Sequence, residues 1–291
     1  MNSVRVWLNG QKQAMHKSTV FSGGEVHVNV ASYPDKCDSV LVKARITNSE
    51  GLIETLLLCE ALWARYPKAT KQITLPYMPY SRQDRRCATG DAFSLQIIAK
   101  TIYKGIADLG FELITWDMHS REGLGIISNQ LSTLGGSMCV QELSMLHLAS
   151  SLERYGLLNS TILVSPDKGA RAKVSIIGEK YNIPVVYGSK LRDPKTGNLS
   201  GFSVDMENLN GLDVLIVDDI CDGGGTFLGL AEELKKVNCG KISLYVTHGI
   251  FSKGFDIFSG IIDNLYTTTS IPREVQDGEV AKGVFLTTLN I

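Results

Sequence analysis

A glycine-rich segment between residues 214 and 227, VLIVDDICDGGGTF, carries residue types that together suit a phosphorylated sugar. Its polar and glycine residues are Asp218, Asp219, Asp222, Gly223, Gly224, Gly225 and Thr226. The glycines have no side chains, so their backbone N–H groups can surround an oxyanion, and the threonine adds a hydroxyl at a helix N-terminus. The carboxylates cannot bind phosphate, but they accept hydrogen bonds from sugar hydroxyls or reach a metal ion through water. The segment predicts a sugar-phosphate site; the alternative is a glycine-rich turn that only caps a buried strand.

This segment resembles the loop of the type I phosphoribosyltransferases and of the ribose-phosphate diphosphokinases. The resemblance implies a parallel sheet flanked by helices, with ribose 5-phosphate bound by the loop. A phosphoribosyltransferase consumes phosphoribosyl diphosphate, whereas a diphosphokinase makes it. The other polar loops of the chain must therefore distinguish the two.

The segment PYMPYSRQDRR, residues 76–86, resembles the diphosphokinase signature for the ATP site. The resemblance assigns Arg82 and Gln83 to ATP, with Asp84 beside them. Guanidinium groups such as those of Arg85 and Arg86 make charge-assisted, often bidentate hydrogen bonds to phosphate oxygens, which suits a polyphosphate. The alternative is a solvated basic turn.

Two further strand ends resemble the family's metal-binding elements. In TWDMHS, His119 occupies the position of a histidine that binds the magnesium ion carried by the nucleotide. In SPDKGARA, Asp167 matches the acidic residue of a second metal contact, and Lys168 stands where the family has a small residue. Magnesium prefers carboxylate, water and phosphate oxygens, so Asp167 is the better ligand chemically. We expect Mg²⁺ as the cofactor.

The stretch VVYGSKLRDPKTGNLSG, residues 185–201, predicts a strand followed by a long polar flap. The family places a Lys-x-Arg at the root of such a loop as its catalytic cations, which assigns Lys190 and Arg192 to catalysis. Phosphoryl transfer needs positive charge where negative charge develops, so two cations on a closing loop are physically reasonable. The alternative is an exposed hairpin tip, because Asp-Pro-Lys-Thr-Gly is a good turn sequence.

Near the amino terminus, FSGGEV resembles a family element in which an aromatic ring packs on the adenine held by a neighbouring subunit. Phe21 and Glu25 match this element, but Gly23 stands where the family has Asp or Asn. The resemblance implies a homo-oligomer with shared sites. The alternative is that Phe21 fills the core of its own domain.

Short apolar runs alternate along the chain with stretches of helical periodicity, which predicts an α/β fold of two domains, each a mainly parallel sheet flanked by helices. Residues 51–66 place Leu52, Leu56, Cys59 and Trp63 on one predicted core stripe, and residues 225–238 repeat the pattern after the strand-like 214–217. Four apolar runs end in polar clusters, as ligand-binding strands do in doubly wound sheets. The glycine- and serine-containing stretch 123–137 is the predicted linker, giving domains 1–140 and 141–291.

Composition excludes several classes of protein. The 291 residues include 29 basic and 30 acidic side chains, a formal net charge of −1, so no overall field favours nucleic acid or anionic membranes. Six scattered cysteines fit neither a disulfide framework nor a zinc site, and no apolar stretch approaches the about 18 residues of a spanning helix. The beginning of the chain carries no apolar core behind a basic cap. We expect a cytoplasmic enzyme with small-molecule substrates.

Together these motifs predict a ribose-phosphate diphosphokinase, in which the anomeric hydroxyl of ribose 5-phosphate attacks the β-phosphorus of Mg-ATP and releases AMP. A phosphoribosyltransferase is the first alternative, since it would share the Asp-Asp loop without needing the Arg-Gln-Asp element. A non-catalytic associated subunit is the second, although such a protein would be expected to lose the Lys-x-Arg pair.

Overall fold

The computed structural model describes residues 3–133, 140–159, 161–192 and 199–290. The chain divides into two compact units, one of Met1–Leu143 with Ser270–Pro272 and one of Ser144–Thr269 with Arg273–Ile291. Within the described ranges, no helix has the length and apolar character needed to cross a membrane.

The first unit is built on a six-stranded sheet of order β2-β1-β5-β6-β7-β8, together with a separate β3-β4 hairpin. Its strands are β1 (Ser3–Leu8), β2 (Gln11–Lys12), β3 (Lys17–Val20), β4 (Val26–Asn29), β5 (Ser39–Arg45), β6 (Thr70–Leu75), β7 (Phe111–Trp116) and β8 (Val140–Leu143). Its helices are α1 (Ser49–Arg65), α2 (Ser94–Ile102), continued by a π-helical turn at Tyr103–Ala107, and α3 (Arg121–Thr133). Strands β5 to β8 are parallel, and β1 and β2 form an antiparallel edge.

Helix α1 begins one turn before the predicted stripe, because the Asn48 side chain caps it by accepting a 2.9 Å hydrogen bond from the Gly51 N–H. Its buried face consists of Gly51, Leu52, Thr55, Leu58, Cys59 and Leu62. The prediction that Trp63 belongs to the core is wrong, since its exposed fraction is 41%. The buried face is centred on Thr55, Leu58 and Leu62, and at 3.6 residues per turn position 63 lies outside it. The predicted stripe counted four residues on from Cys59 and was therefore centred on the wrong side of the helix.

The predicted linker is also wrong over most of its length. Residues 123–133 lie within α3, and Ile127 is buried in the core of the first unit. The glycines in this helix made the sequence look like a loop, but packing of one apolar face overrides their low helix propensity. The remaining linker positions, 134–137, lie outside the described residues.

The second unit is built on an eight-stranded sheet of order β11-β10-β9-β12-β13-β14-β16-β15. Its strands are β9 (Thr161–Ser165), β10 (Val185–Arg192), β11 (Leu199–Val204), β12 (Asp213–Cys221), β13 (Ile242–Gly249), β14 (Asn264–Thr268), β15 (Gly278–Ala281) and β16 (Val284–Leu289). Its helices are α4 (Met145–Arg154), α5 (Arg171–Tyr181) and α6 (Gly225–Lys236), with a 3₁₀ turn at Asp256–Phe258. The six central strands are parallel, whereas β11 and β15 are antiparallel edges.

Helices cover both faces of this second sheet, which explains why β12 reads as a continuous apolar run. Val214 and Ile216 pack in the cluster that contains α6, while Leu215 and Val217 pack in the cluster that contains α4 and α5. The α/β fold class with two mainly parallel sheets is confirmed. Within each unit, adjacent parallel strands bring their carboxyl ends to one edge: β6 beside β7, and β9 beside β12.

Candidate functional site

The glycine-rich loop joins β12 to α6 in three residues, and its conformation depends on Gly224. Gly224 has φ +73° and caps α6, and a Cβ there would lie 2.9 Å from Cδ1 of Ile257 and 3.0 Å from Cζ of Phe258. A Cβ on Gly225 would meet open space. The loop therefore needs glycine at 224 for backbone and packing reasons, and it leaves the first N–H groups of α6 directed at the edge of the sheet. Such a helix N-terminus attracts an anion.

The two adjacent carboxyl groups at the end of β12 are close enough to oppose each other's ionisation. Asp219 is buried, and its backbone N–H donates to Oδ1 of Asp218 at 2.8 Å. Burial raises the pKa of Asp218 well above its ordinary value. The negative charge of Asp219 raises this pKa further, and Asp167 makes a smaller contribution in the same direction. A ligand that donates hydrogen bonds would relieve this cost, which suits sugar hydroxyls and not a phosphate oxygen. Asp222 lies half-buried at the start of the loop.

Asp167 and Lys190 form an ion pair at the ends of β9 and β10. Nζ of Lys190 lies 2.7 Å from Oδ2 of Asp167, and both side chains are 29% exposed. Oδ1 of the same carboxylate accepts hydrogen bonds from the N–H groups of Gly169 at 2.9 Å and Ala170 at 3.3 Å. Burial acts to raise the pKa of Asp167, but the hydrogen bond and charge of Lys190, together with the two N–H groups, hold this pKa below its ordinary value. The carboxylate thus stays ionised and holds the lysine at the edge where Asp218 lies.

Arg171, which was not predicted as a site residue, is hydrogen-bonded to the strand that carries Lys190. Its Nη2 donates to Oγ of Ser189 at 2.8 Å and to the carbonyl of Gly188 at 3.4 Å, and its guanidinium lies 5.4 Å from the ring centre of Tyr187. Its buried Nε has no hydrogen-bond partner within the described part of the chain. The segment SPDKGARA contained the signal, since the helix dipole disfavours a cation at the first position of a helix unless that cation has a partner.

The predicted flap is described only at its base. Strands β10 and β11 form an antiparallel hairpin in which Arg192 pairs with Leu199. This pairing places the Arg192 backbone at the end of β10. The connecting residues 193–198 lie outside the described residues.

In the first unit, the loops after β6 and β7 are joined through Asp84. Its Oδ2 accepts a 2.5 Å hydrogen bond from Oγ of Ser120, while the carbonyl of Gln83 accepts one from the Leu95 N–H at 3.2 Å. The side chains of Arg82 and Gln83 are exposed. In the predicted Arg-Gln-Asp element, Arg82 and Gln83 are therefore exposed, while hydrogen bonds of the Asp84 side chain and of the Gln83 carbonyl hold the loop. Ser120 is a second residue that the sequence analysis missed.

His119 is exposed just beyond the end of β7. Among the residues with described coordinates, no group of three or more His, Cys, Asp or Glu side chains is arranged to hold a metal ion. A magnesium ion does not require such a cage, because it is usually held by one or two carboxylates with water and substrate phosphates. The partly exposed carboxylate of Asp167 is of the ligand type that such binding uses.

Phe21 and Glu25 lie in the turn between β3 and β4. Phe21 is 56% exposed, and its ring contacts only the His27 ring, at 5.9 Å, among the described aromatic pairs. The alternative that Phe21 fills the core of its own domain is therefore wrong. A Cβ on Gly23 would lie 2.5 Å from Oε2 of Glu25, so the glycine gives the Glu25 carboxylate room to fold over the turn. This gives a local reason for the departure from Asp or Asn at position 23.

The chain matches two family models. The model for the N-terminal domain of ribose phosphate pyrophosphokinase matches residues 8–105, and the model for the phosphoribosyl transferase domain matches residues 145–265. The ribose-phosphate pyrophosphokinases of Pyrococcus furiosus and Thermococcus kodakarensis are each 30% identical to this chain, over 261 and 257 residues. Each alignment covers 88% of this chain and 85% of the relative.

Among solved structures, the phosphoribosylpyrophosphate synthetase from Mycobacterium smegmatis is similar in fold, with a TM-score of 0.72 and 20% sequence identity. The match covers 94% of this chain and 86% of that chain. At this identity the likeness supports the fold alone, whereas each of the two sequence relatives aligns with 88% of this chain.

Proposed function

The chain belongs to the ribose-phosphate pyrophosphokinase family, and we propose that it transfers the β,γ-diphosphate of ATP to the anomeric hydroxyl of ribose 5-phosphate. The products are phosphoribosyl diphosphate and AMP. Phosphoribosyl diphosphate then serves as a precursor of nucleotides and NAD in the cytoplasm. The observation that carries the proposal is the edge of the second sheet, where the Lys190–Asp167 ion pair lies beside the Asp218–Asp219 carboxyl pair and the glycine-rich loop. This edge combines a cation for transfer with acceptors for sugar hydroxyls and a helix N-terminus for a phosphate.

In this proposal the second unit holds the sugar phosphate. The phosphate accepts hydrogen bonds from the loop N–H groups of residues 223–226 and from the Thr226 hydroxyl. The ribose hydroxyls donate to the carboxyl groups of Asp218 and Asp219, and Asp222 helps to shape the loop. Burial and the charge of Asp219 make ionisation of Asp218 unfavourable in the free protein. Hydrogen bonds donated by the ribose hydroxyls stabilise the ionised carboxylate and so offset part of that free energy.

The first unit supplies the nucleotide contacts. Arg82 donates to the phosphate oxygens, and Gln83 and Asp84 complete the polar wall of the ATP site. Asp84 is held in position by Ser120, which fixes its carboxylate without neutralising it.

In the transfer step, the anomeric oxygen of ribose 5-phosphate forms a bond to the β-phosphorus, and the bond between that phosphorus and the oxygen bridging to the α-phosphate breaks. The anomeric hydroxyl loses its proton to solvent, and AMP leaves with the bridging oxygen. Lys190 and Arg192 stabilise the negative charge on the diphosphoryl group in flight. The 2.7 Å pair with Asp167 holds Lys190 in place, and its ammonium group keeps two further N–H donors for the diphosphoryl group.

His119, in the first unit, would bind the magnesium ion carried by the nucleotide, and Asp167, in the second unit, would provide a second metal contact. A magnesium ion supplies charge neutralisation at the phosphates when bound. A carboxylate whose pKa is held low remains an ionised oxygen ligand at any physiological pH, which is what a hard cation needs.

The exposed Phe21 supports a shared site in a homo-oligomer. A ring that is 56% exposed at a hairpin tip is available to stack on a base held by a neighbouring subunit. Glu25, folded over Gly23 in the same turn, would contact the same nucleotide.

The proposal is tested by incubating the purified protein with ribose 5-phosphate, Mg²⁺ and ATP labelled in the β- and γ-phosphates. Release of AMP with both labels in phosphoribosyl diphosphate supports it, whereas ADP would indicate an ordinary kinase. Consumption of phosphoribosyl diphosphate with a nucleobase, without AMP, would favour a phosphoribosyltransferase. The absence of any turnover would favour an associated regulatory subunit.

A further inference from the structure

The loop that follows β13 is hydrogen-bonded to the glycine-rich loop. The N–H groups of Ile250 and Phe251 both donate to the carbonyl of Cys221, at 2.9 and 3.1 Å, and the Ser252 N–H donates to the carbonyl of Asp222 at 3.1 Å. These contacts follow from the sheet, because β13 is the parallel neighbour of β12 and both strands end at the same edge. The β13 loop therefore forms one wall of the glycine-rich loop.

The β13 loop is also rigid for reasons of its own. The Phe251 ring is buried and packs at 5.1 Å on Phe255 and at 6.1 Å on Phe258. The Gly254 N–H closes a turn onto the Phe251 carbonyl at 2.9 Å, and Gly254 has φ +73°. A turn fixed at both ends presents the residue between them, Lys253, in a defined place.

The Lys253 side chain runs along Gly223. Its Cγ, Cδ and Cε lie 3.9, 3.6 and 3.4 Å from the position that a Cβ of Gly223 would occupy, so the chain approaches the glycine more closely towards its charged end. The ammonium group is one bond beyond Cε. Lys253 is exposed and has no ion-pair partner within the described ranges. The cation is therefore positioned at the glycine-rich loop without being neutralised there.

The glycine-rich loop needs such a cation. Residues 218–226 contain three aspartates and no lysine or arginine, although they are to bind a group carrying about two negative charges. Backbone N–H groups and a helix N-terminus provide only about half a positive charge. A nearby ammonium group adds a full charge and a strong hydrogen-bond donor, which offsets repulsion from the three carboxylates.

We propose that Lys253 is a substrate-binding residue that contacts the 5-phosphate of ribose 5-phosphate and sets the preference of the loop for a phosphorylated sugar. This assignment rests on the proposed function of the loop. A Cβ at 223 would lie in ordinary contact with the lysine stem, 3.4 Å from Cε, so the stem packs directly beside this glycine.

The test is a charge series at one position. Lys253→Met keeps the stem on Gly223 and removes the ammonium group, Lys253→Arg keeps the charge, and Lys253→Glu reverses it. Affinity for ribose 5-phosphate is measured by titration calorimetry and the KM values by AMP release. The matched control is Lys241→Met, an exposed lysine at the opposite end of β13.

We expect Lys253→Met to weaken ribose 5-phosphate binding by about tenfold or more, the usual effect of losing a hydrogen bond between charged groups. Lys253→Arg should remain within about threefold of wild type, and Lys253→Glu should bind more weakly than Lys253→Met. Added salt should weaken binding to the wild type more than to Lys253→Met. The KM for ATP and the melting temperature should change little, and Lys241→Met should behave as wild type.

Each of three results would overturn the assignment. The Lys253→Met variant could bind ribose 5-phosphate within about twofold of wild type, or the affinities of the Arg, Met and Glu variants could fail to fall in that order. The third is a wild type that does not bind the sugar phosphate at all. The calorimetry does not depend on turnover. A wild type that binds ribose 5-phosphate through Lys253 but releases no AMP would refute the proposed function and support this inference. If wild type and all three Lys253 variants bind ribose 5-phosphate equally well and release AMP at the same rate, the proposed function is supported and this inference is refuted.

Discussion

Replacing Lys190 by methionine tests the catalytic assignment most directly, because the change keeps the aliphatic stem and removes only the ammonium group. At 2.7 Å the Lys190–Asp167 attraction is about 6 kcal/mol before solvation is counted, at an effective dielectric constant of about 20. Desolvation and side-chain ordering reduce the net contribution of such a charged hydrogen bond to about 1.5–3 kcal/mol of unfolding free energy. A loss of stability within that range is the structural effect expected of Lys190→Met.

The catalytic effect should exceed the structural one and differ in kind. Removing a group that stabilises charge mainly in the transition state lowers kcat on the order of 10²–10³-fold, with little change in either KM. Initial rates of AMP release over a matrix of both substrates, with thermal unfolding of the same samples, separate the two effects.

The chain offers a matched control in Lys236→Met. Lys236 also forms a 2.7 Å pair, with Glu233 on the surface of α6, so its loss removes the same contact away from the site edge. Turnover of this variant should equal that of wild type. A Lys190→Met enzyme with kcat within about threefold of wild type, or with its whole loss in KM, would refute the reasoning, because the Lys190 ammonium group would then be an ordinary structural or binding charge.

Asp218→Asn should raise the melting temperature above about pH 4 while weakening ribose 5-phosphate binding, because the raised pKa makes the ionised form costly in the folded state. This cost begins at the unfolded-state pKa and grows as pH rises to the folded-state pKa, so equal melting curves from pH 5 to 8 would contradict the assignment. Gly224→Ala should cost about 1–2 kcal/mol of unfolding free energy, because its φ is +73° and its space is filled, whereas Gly225→Ala should cost nothing. Denaturant unfolding measures both, and equal effects would show that the loop is not strained at 224. Phe21→Ala and Lys190→Met proteins should each be nearly inactive, yet co-refolded mixtures should recover part of the activity if sites are shared. Mixtures that contain hetero-oligomers by native mass spectrometry but recover nothing would mean that each site is built from one chain.

The sequence alone determined the features that depend on local pattern. The apolar run 214–217 followed by acids, glycines and a periodic stretch specified β12, the loop and α6 in order, since each element's type follows from short-range periodicity and turn chemistry. Alternation of such units specified the parallel sheets. The motif order then identified the family, whose curated relatives confirm the predicted fold and class of activity.

The sequence predicted less well which side of each helix faces the core. Trp63 was predicted to be buried and is exposed, and residues 123–133 were predicted as a linker and form a helix. A helix has a single apolar face whose centre is set by the sheet beneath it, so a spacing of three or four fits more than one candidate stripe. The glycines of α3 lower helix propensity by amounts that tertiary packing readily outweighs.

Only the tertiary structure decided which side chains meet. The pairing of Asp167 with Lys190, 23 positions later, requires β9 and β10 to be parallel neighbours in one register. The approach of Lys253 to Gly223 across 30 positions requires β12 and β13 to end at the same edge. Local patterns carry no information about strand order or register, because many pairings bury equal apolar area and satisfy the same backbone hydrogen bonds. The sequence could therefore name the groups at the site, whereas the packing of the strands fixed which of them face one another.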